Sequence, residues 1–177
     1  MSFFLSTKGH LHPYNFHYLQ GDFEKARLER TLVHGEQKLP ATLEESKVDF
    51  FAIDVMAKPP LVKSSTSTLS EVKTLMSDKG IRHVPIVENH KVLGMISDRD
   101  LLKVDLSSSF AFLKAEDVMS TVLILAHEDT PLAHIARVLL EEKLSCLPVI
   151  DSAHKIVGMI SRTDILRAVV YNRLVIK

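Results

Sequence analysis

Ser97 and Asp100 stand at the end of an apolar run, Leu93-Gly94-Met95-Ile96, and Ser161 and Asp164 end a second one, Val157-Gly158-Met159-Ile160, in the same way. A β-rich run that breaks into Ser-x-x-Asp places the pair at the mouth of a helix. Unpaired N–H groups and the positive end of the helix dipole attract phosphate there. The serine adds a hydroxyl, and the carboxylate on the first turn can accept hydrogen bonds from the two hydroxyls of a ribose. Between serine and acid the first copy carries Asp98-Arg99 and the second Arg162-Thr163. Arg99 and Arg162 are candidates for phosphate contact through charge-assisted hydrogen bonds, and His83 is a further one. The same letters also spell a helix-capping box, serine bonding forward and acid bonding back. The two roles are compatible, since a cap can hold the helix start until a ligand arrives.

The elements that must carry these pairs are themselves duplicated. Displacing the chain by 63 residues aligns Asp54-Val55-Met56 with Asp117-Val118-Met119, Leu69 with Leu132, Val72 with Ile135, and Pro85 with Pro148. One extra residue in the second polar turn changes the displacement to 64, after which Gly94 meets Gly158, Ser97 meets Ser161 and Asp100 meets Asp164. Each copy opens with a short extended piece, Pro60-Leu61-Val62 or Val122-Leu123-Ile124-Leu125. A helix follows with apolar residues at three-to-four spacing, Leu69 to Met76 or Leu132 to Leu140. Thr68 with Glu71 predicts a capping box for the first helix, and Thr130-Pro131 an alternative opening for the second. Two β-rich runs around a tight turn and a closing helix complete the unit.

The predicted fold is α/β of the α+β kind: two β-α-β-β-α repeats packed with pseudo-twofold symmetry. A unit of about 55 residues is marginal alone, and pairing two of them supplies a shared core. The expected divisions are an N-terminal extension over 1–51, a first repeat over 52–106, a connector over 107–114 and a second repeat with its C-terminal helix over 115–177. In the connector, Phe110-Ala111-Phe112-Leu113 is apolar enough to pack rather than float. The first third matches nothing later. His10, His12 and His17 are of a metal-ligating type, but no cysteine or carboxylate joins them nearby, and the aromatic stretch is read as an arm packing on the body or on a partner subunit. A short helix is expected from Asp22 to Val33.

With Asp-Val-Met at the opening, a Pro-containing strand and a Gly-h-h-Ser-x-x-Asp-h-h ending, where h is apolar, each unit resembles a CBS domain. The pair resembles a Bateman module over roughly 52–170. The resemblance implies an adenosine ligand (AMP, ADP, ATP or S-adenosylmethionine) in clefts between the repeats, with Ser97 and Asp100 serving one cleft and Ser161 and Asp164 the other. It implies adenine packing against Leu61, Val62, Val84, Pro85 and Ile86 in the first copy. In the second copy the implied contacts are Ile124, Leu125, Leu147, Pro148 and Val149. For these apolar positions ordinary core packing is the competing role. It also implies a homodimer formed through the CBS helices, flat and disc-like.

Composition narrows the function further. Lys plus Arg and Asp plus Glu number 22 each, so no overall basic excess points to nucleic acid or an anionic membrane. No apolar run approaches the about 20 residues of a membrane span, and the start lacks the basic region of a signal peptide. The single cysteine, Cys146, has no second cysteine to pair with and suits a reducing compartment. A cytoplasmic location is expected. Phosphate-binding loops, paired metal-site spacings and the Gly-x-Ser-x-Gly elbow are absent from the sequence, and no required cofactor or enzymatic activity is expected. The expected function is adenine-nucleotide sensing for an unidentified protein partner. The alternative is a structural or dimerisation module without nucleotide.

Overall fold

The computed structural model describes residues 3–19, 50–104 and 112–170. Strands β1 (Phe3–Thr7) and β2 (His10–Tyr14) form an N-terminal hairpin. The first repeat holds α1 (Ala52–Val55), α2 (Leu69–Lys79), β3 (His83–Glu88), β4 (Lys91–Ser97) and α3 (Asp98–Lys103). The second repeats the series with α4 (Ala115–Val118), β5 (Val122–His127), α5 (Leu132–Glu141), β6 (Cys146–Ile150), β7 (Ile156–Ser161) and α6 (Arg162–Val170). The helix expected over Asp22 to Val33 and most of the connector lie outside the described residues.

Local chemistry accounts for the main helices. Thr68 caps α2 reciprocally: its Oγ1 accepts from the Glu71 N–H at 3.3 Å, and the Glu71 carboxylate accepts from the Thr68 N–H at 2.8 Å. Gly80 ends the helix in the left-handed region at φ 62°, where a Cβ would be strained. Leu69, Val72 and Met76 face inward. In α5, which starts after Pro131, the inward face is Leu132, Ile135, Val138 and Leu139, whereas Leu140 is exposed.

The sheets are unequal. One has five strands in the order β2-β1-β5-β6-β7, and the other contains β3 and β4 alone. The early piece of the first repeat forms no strand and reaches β3 only through a parallel bridge from Lys63 to Ile86. Pro59 and Pro60 explain this difference from the expected pattern, since neither has an N–H for a ladder. In the second repeat, β5 runs parallel to β6 and antiparallel to β1. The N-terminal aromatics therefore enter the body as part of a sheet. Phe3 is 2% exposed and meets Phe16 edge to face at 5.4 Å.

The repeats are joined by reciprocal exchange. Residues preceding α1 dock at the start of α5, with Ala52 N–H donating to Thr130 O at 2.9 Å and Leu132 N–H to Phe50 O at 2.7 Å. Residues preceding α4 dock in the same way at α2, through Ala115 N–H to Ser67 O at 2.8 Å and Leu69 N–H to Leu113 O at 3.0 Å. Leu113 packs on the first core as the connector was expected to, but its neighbour Phe112 is 84% exposed. A third cluster, Val92, Leu123, Leu125 and Ile150, lies between the sheets and makes the two repeats one body.

Candidate functional site

Strand β7 delivers Ser161 and helix α6 carries Asp164 on its first turn. Ser161 Oγ donates to Asp164 Oδ2 at 2.6 Å, the Ser161 N–H donates to the same oxygen at 2.8 Å, and the Asp164 N–H donates back to Oγ at 3.3 Å. A cavity of about 650 Å³ opens at this helix mouth. Its opposite wall comes from the first repeat, where Ala57 to Leu61 and the loop from Lys79 to His83 face it. Thus the cleft lies between repeats, and neither copy builds it alone.

Backbone bonds hold the two walls in register. Ala57 N–H donates to Met159 O at 2.8 Å and Met159 N–H to Ala57 O at 3.1 Å, tying the first repeat's wall to the strand that leads to Ser161. Arg162 N–H donates to Ser145 O at 3.2 Å and Asp98 N–H to Arg82 O at 2.9 Å, so both helix mouths are fastened to the turn before the neighbouring strand.

Of the candidate residues, the cavity brings together Ser161, Arg162, Asp164 and His83. The Arg162 guanidinium already donates to Leu139 O at 2.8 Å. His83 is half-buried, and burial lowers its pKa, with Asp98 opposing and Arg82 reinforcing that shift. Ser97 and Asp100 reproduce the capping geometry at the mouth of α3, with Oγ to Oδ2 at 2.6 Å, but do not line this cavity. Arg99 is exposed beside them. Burial works against ionisation of Asp100, yet hydrogen bonds from Ser97 and the Lys103 ammonium at 3.1 Å outweigh it and hold the carboxyl below the usual range.

The apolar candidates are placed elsewhere. Val84, Pro85, Leu125, Leu147 and Pro148 are buried and do not line the cavity, while Val62 is exposed outside it. Val84 faces the first core and Leu147 the second, because strand alternation turns these positions onto the helices. Leu61 alone of the ten expected adenine contacts is in the lining. The lining also includes Lys58, Lys79, Arg82, Cys146 and Arg167, which belong to no motif, and Thr163, a variable position within Ser-x-x-Asp. Burial, with the Asp164 carboxylate adding to it, pushes the Cys146 thiol up to about 12.

His10, His12 and His17 are all exposed, and among the described residues no group of three His, Cys, Asp or Glu could hold a metal ion. No helix among the described residues is long and apolar enough to cross a membrane.

Two strand–turn–strand units, exchanged openings and a capped helix mouth facing the opposite repeat define a tandem module. The chain belongs to the CBS-domain family, whose model matches residues 52–107 and 115–171. It is similar to the CBS domain pair of protein MJ0100, solved in complex with 5′-methylthioadenosine and S-adenosyl-L-methionine, at 30% identity and a TM-score of 0.63 over 70% of this chain and 98% of that one. CBSX2 of Arabidopsis thaliana, solved in complex with AMP, gives 27% identity and a TM-score of 0.60 over 70% and 98%. L-aspartate semialdehyde sulfurtransferase of Methanocaldococcus jannaschii is 31% identical over 115 residues, 64% of this chain but 22% of its own length. The chain spans less than half the length of this and seven further curated relatives. CBS pairs are generally regulatory modules, and the enzyme names among the relatives belong to larger proteins.

Proposed function

We propose that the protein is a regulatory module that binds an adenosine-containing ligand in the cleft at Ser161 and Asp164 and passes its state to a protein partner. The observation that carries this reading is the two-sided cleft: one wall is the capped mouth of α6, and the other is a segment of the opposite repeat. A ligand filling it bonds to both repeats and favours one relative arrangement over others, which is what a sensor requires. Asp164, now engaged by Ser161, accepts the ribose hydroxyls, while the positive end of the α6 dipole attracts phosphate. Two of the relatives were solved with adenosine compounds, which supports the same ligand class.

Calorimetric titration with AMP, ADP, ATP and S-adenosylmethionine tests the reading. Binding by at least one, weakened about tenfold or more by Asp164→Ala through loss of charged hydrogen bonds, is the expected result. No heat from any of them at millimolar concentration overturns it.

We further propose a homodimer through the closing helices. The duplicate pair Leu102 and Leu166 is 80% and 63% exposed, and Val170 adds to the same helix face as Leu166. Light scattering at the mass of one chain would refute this.

A further inference from the structure

We propose that the cleft at Ser161 and Asp164 selects a nucleoside polyphosphate over adenosine compounds whose 5′ substituent is neutral or cationic. The proposal rests on the adenosine reading and adds a ligand class to it. Five basic side chains line the cavity: Lys58, Lys79 and Arg82 from the first repeat, Arg162 and Arg167 from the second. Among the described residues, Asp164 is the one carboxylate in that lining. Local partners occupy three of these cations: Arg162 donates to Leu139 O at 2.8 Å, Lys58 Nζ donates to Ile53 O at 3.4 Å, and Arg167 approaches Asp164 at 3.9 Å. Lys79 and Arg82 make no ion pair among the described residues, and both stand on the wall opposite the helix mouth.

The duplication provides an internal control. Moving to the corresponding positions around Ser97 and Asp100 replaces Lys58 by Thr121, Lys79 by Glu142 and Arg162 by Asp98. That set holds four basic residues, Arg82, Arg99, Lys103 and Lys143, against three acidic ones, Asp98, Asp100 and Glu142. Both copies keep the strand, the glycine and the capping box with the same geometry. The fold therefore does not need the cationic excess, since its own duplicate forms without it. A ligand does have a use for it. Each added phosphate brings charge to these five cations, all of them exposed, so the attraction is charge-assisted and screened by salt. The sulfonium and net positive charge of S-adenosylmethionine meet repulsion there. A volume of about 650 Å³ suits a nucleoside with an extended phosphate chain.

Calorimetry on the full chain with adenosine, AMP, ADP, ATP and S-adenosylmethionine, at low and at physiological salt, tests the proposal. ATP is expected to bind at least about tenfold tighter than adenosine or S-adenosylmethionine, with an advantage that shrinks as salt is added. Inorganic tripolyphosphate is expected to compete with ATP. The Lys79→Ala, Arg82→Ala double variant, checked for folding by its melting curve, is expected to reduce the preference for ATP over adenosine by about tenfold. Adenosine or S-adenosylmethionine binding as tightly as ATP overturns the proposal and leaves the adenosine reading standing. Failure of every adenosine compound to bind overturns both. If the double variant does not fold, the ligand series and its salt dependence still decide the matter.

Discussion

The Cβ that Gly158 lacks would stand 2.5 Å from the Sδ of Met56, a residue of the opposite repeat. The duplicate relationship holds between Gly94 and Met119, also at 2.5 Å. The glycine beside each Ser-x-x-Asp therefore makes room for the partner repeat's methionine. Gly158→Ala also meets Ala57 O at 3.0 Å, so relief by side-chain movement is incomplete. A loss of about 1–3 kcal/mol is expected from overpacking in urea unfolding. A double-mutant cycle with Met56→Ala should show a coupling of about 0.5 kcal/mol or more, because the two changes share one contact. Additive effects would show that the methionine is not what excludes the Cβ.

Acid stability should depend on Asp100. Its carboxyl lies below the ordinary range, so the native state keeps its charge where the unfolded chain begins to take up a proton. The stabilisation is complete above the unfolded value, about 4, and is lost as pH falls through the lower native value. Urea midpoints followed from neutral to acid pH should fall less steeply for Asp100→Asn than for the unaltered chain. Parallel acid limbs would remove Asp100 from this role.

Cys146 should be inert in the native protein. A thiol buried at 7% exposure with its pKa raised to about 12 carries almost no thiolate at pH 8. Iodoacetamide should label it slowly in buffer and fast in urea, with mass spectrometry as the readout.

The N-terminal strand should prove structural. Phe3→Ala is expected to cost about 3–5 kcal/mol, as truncation of a buried phenylalanine does. Ser6 is the informative companion: its Oγ is buried with no hydrogen-bond partner among the described residues. Ser6→Ala should therefore be neutral or stabilising by about 1 kcal/mol, since it removes an unsatisfied hydroxyl. Denaturant melts of both variants check the strand's placement, and a destabilised Ser6→Ala would contradict it.

The sequence by itself determined the two CBS repeats and their capping boxes, because helix period, strand alternation and Ser-x-x-Asp are short-range patterns and the chain prints them twice. Thr68 with Glu71, and Ser161 with Asp164, could be paired on paper since each acid lies one turn from its cap. Which residues face which was a different matter. Val84 and Leu147 are as apolar as any cleft wall, and only their burial against helices shows that they belong to the cores. Lys58, Lys79 and Arg82 belong to no motif and lie far along the chain from Asp164. Lys58 joins it because the first repeat lends its opening segment to the second, and Lys79 and Arg82 because the end of α2 and the turn after it face the same cleft, an arrangement made by packing and backbone hydrogen bonds across the pseudo-twofold. Local patterns wrote the helix mouth, and tertiary structure alone decided what stands opposite it.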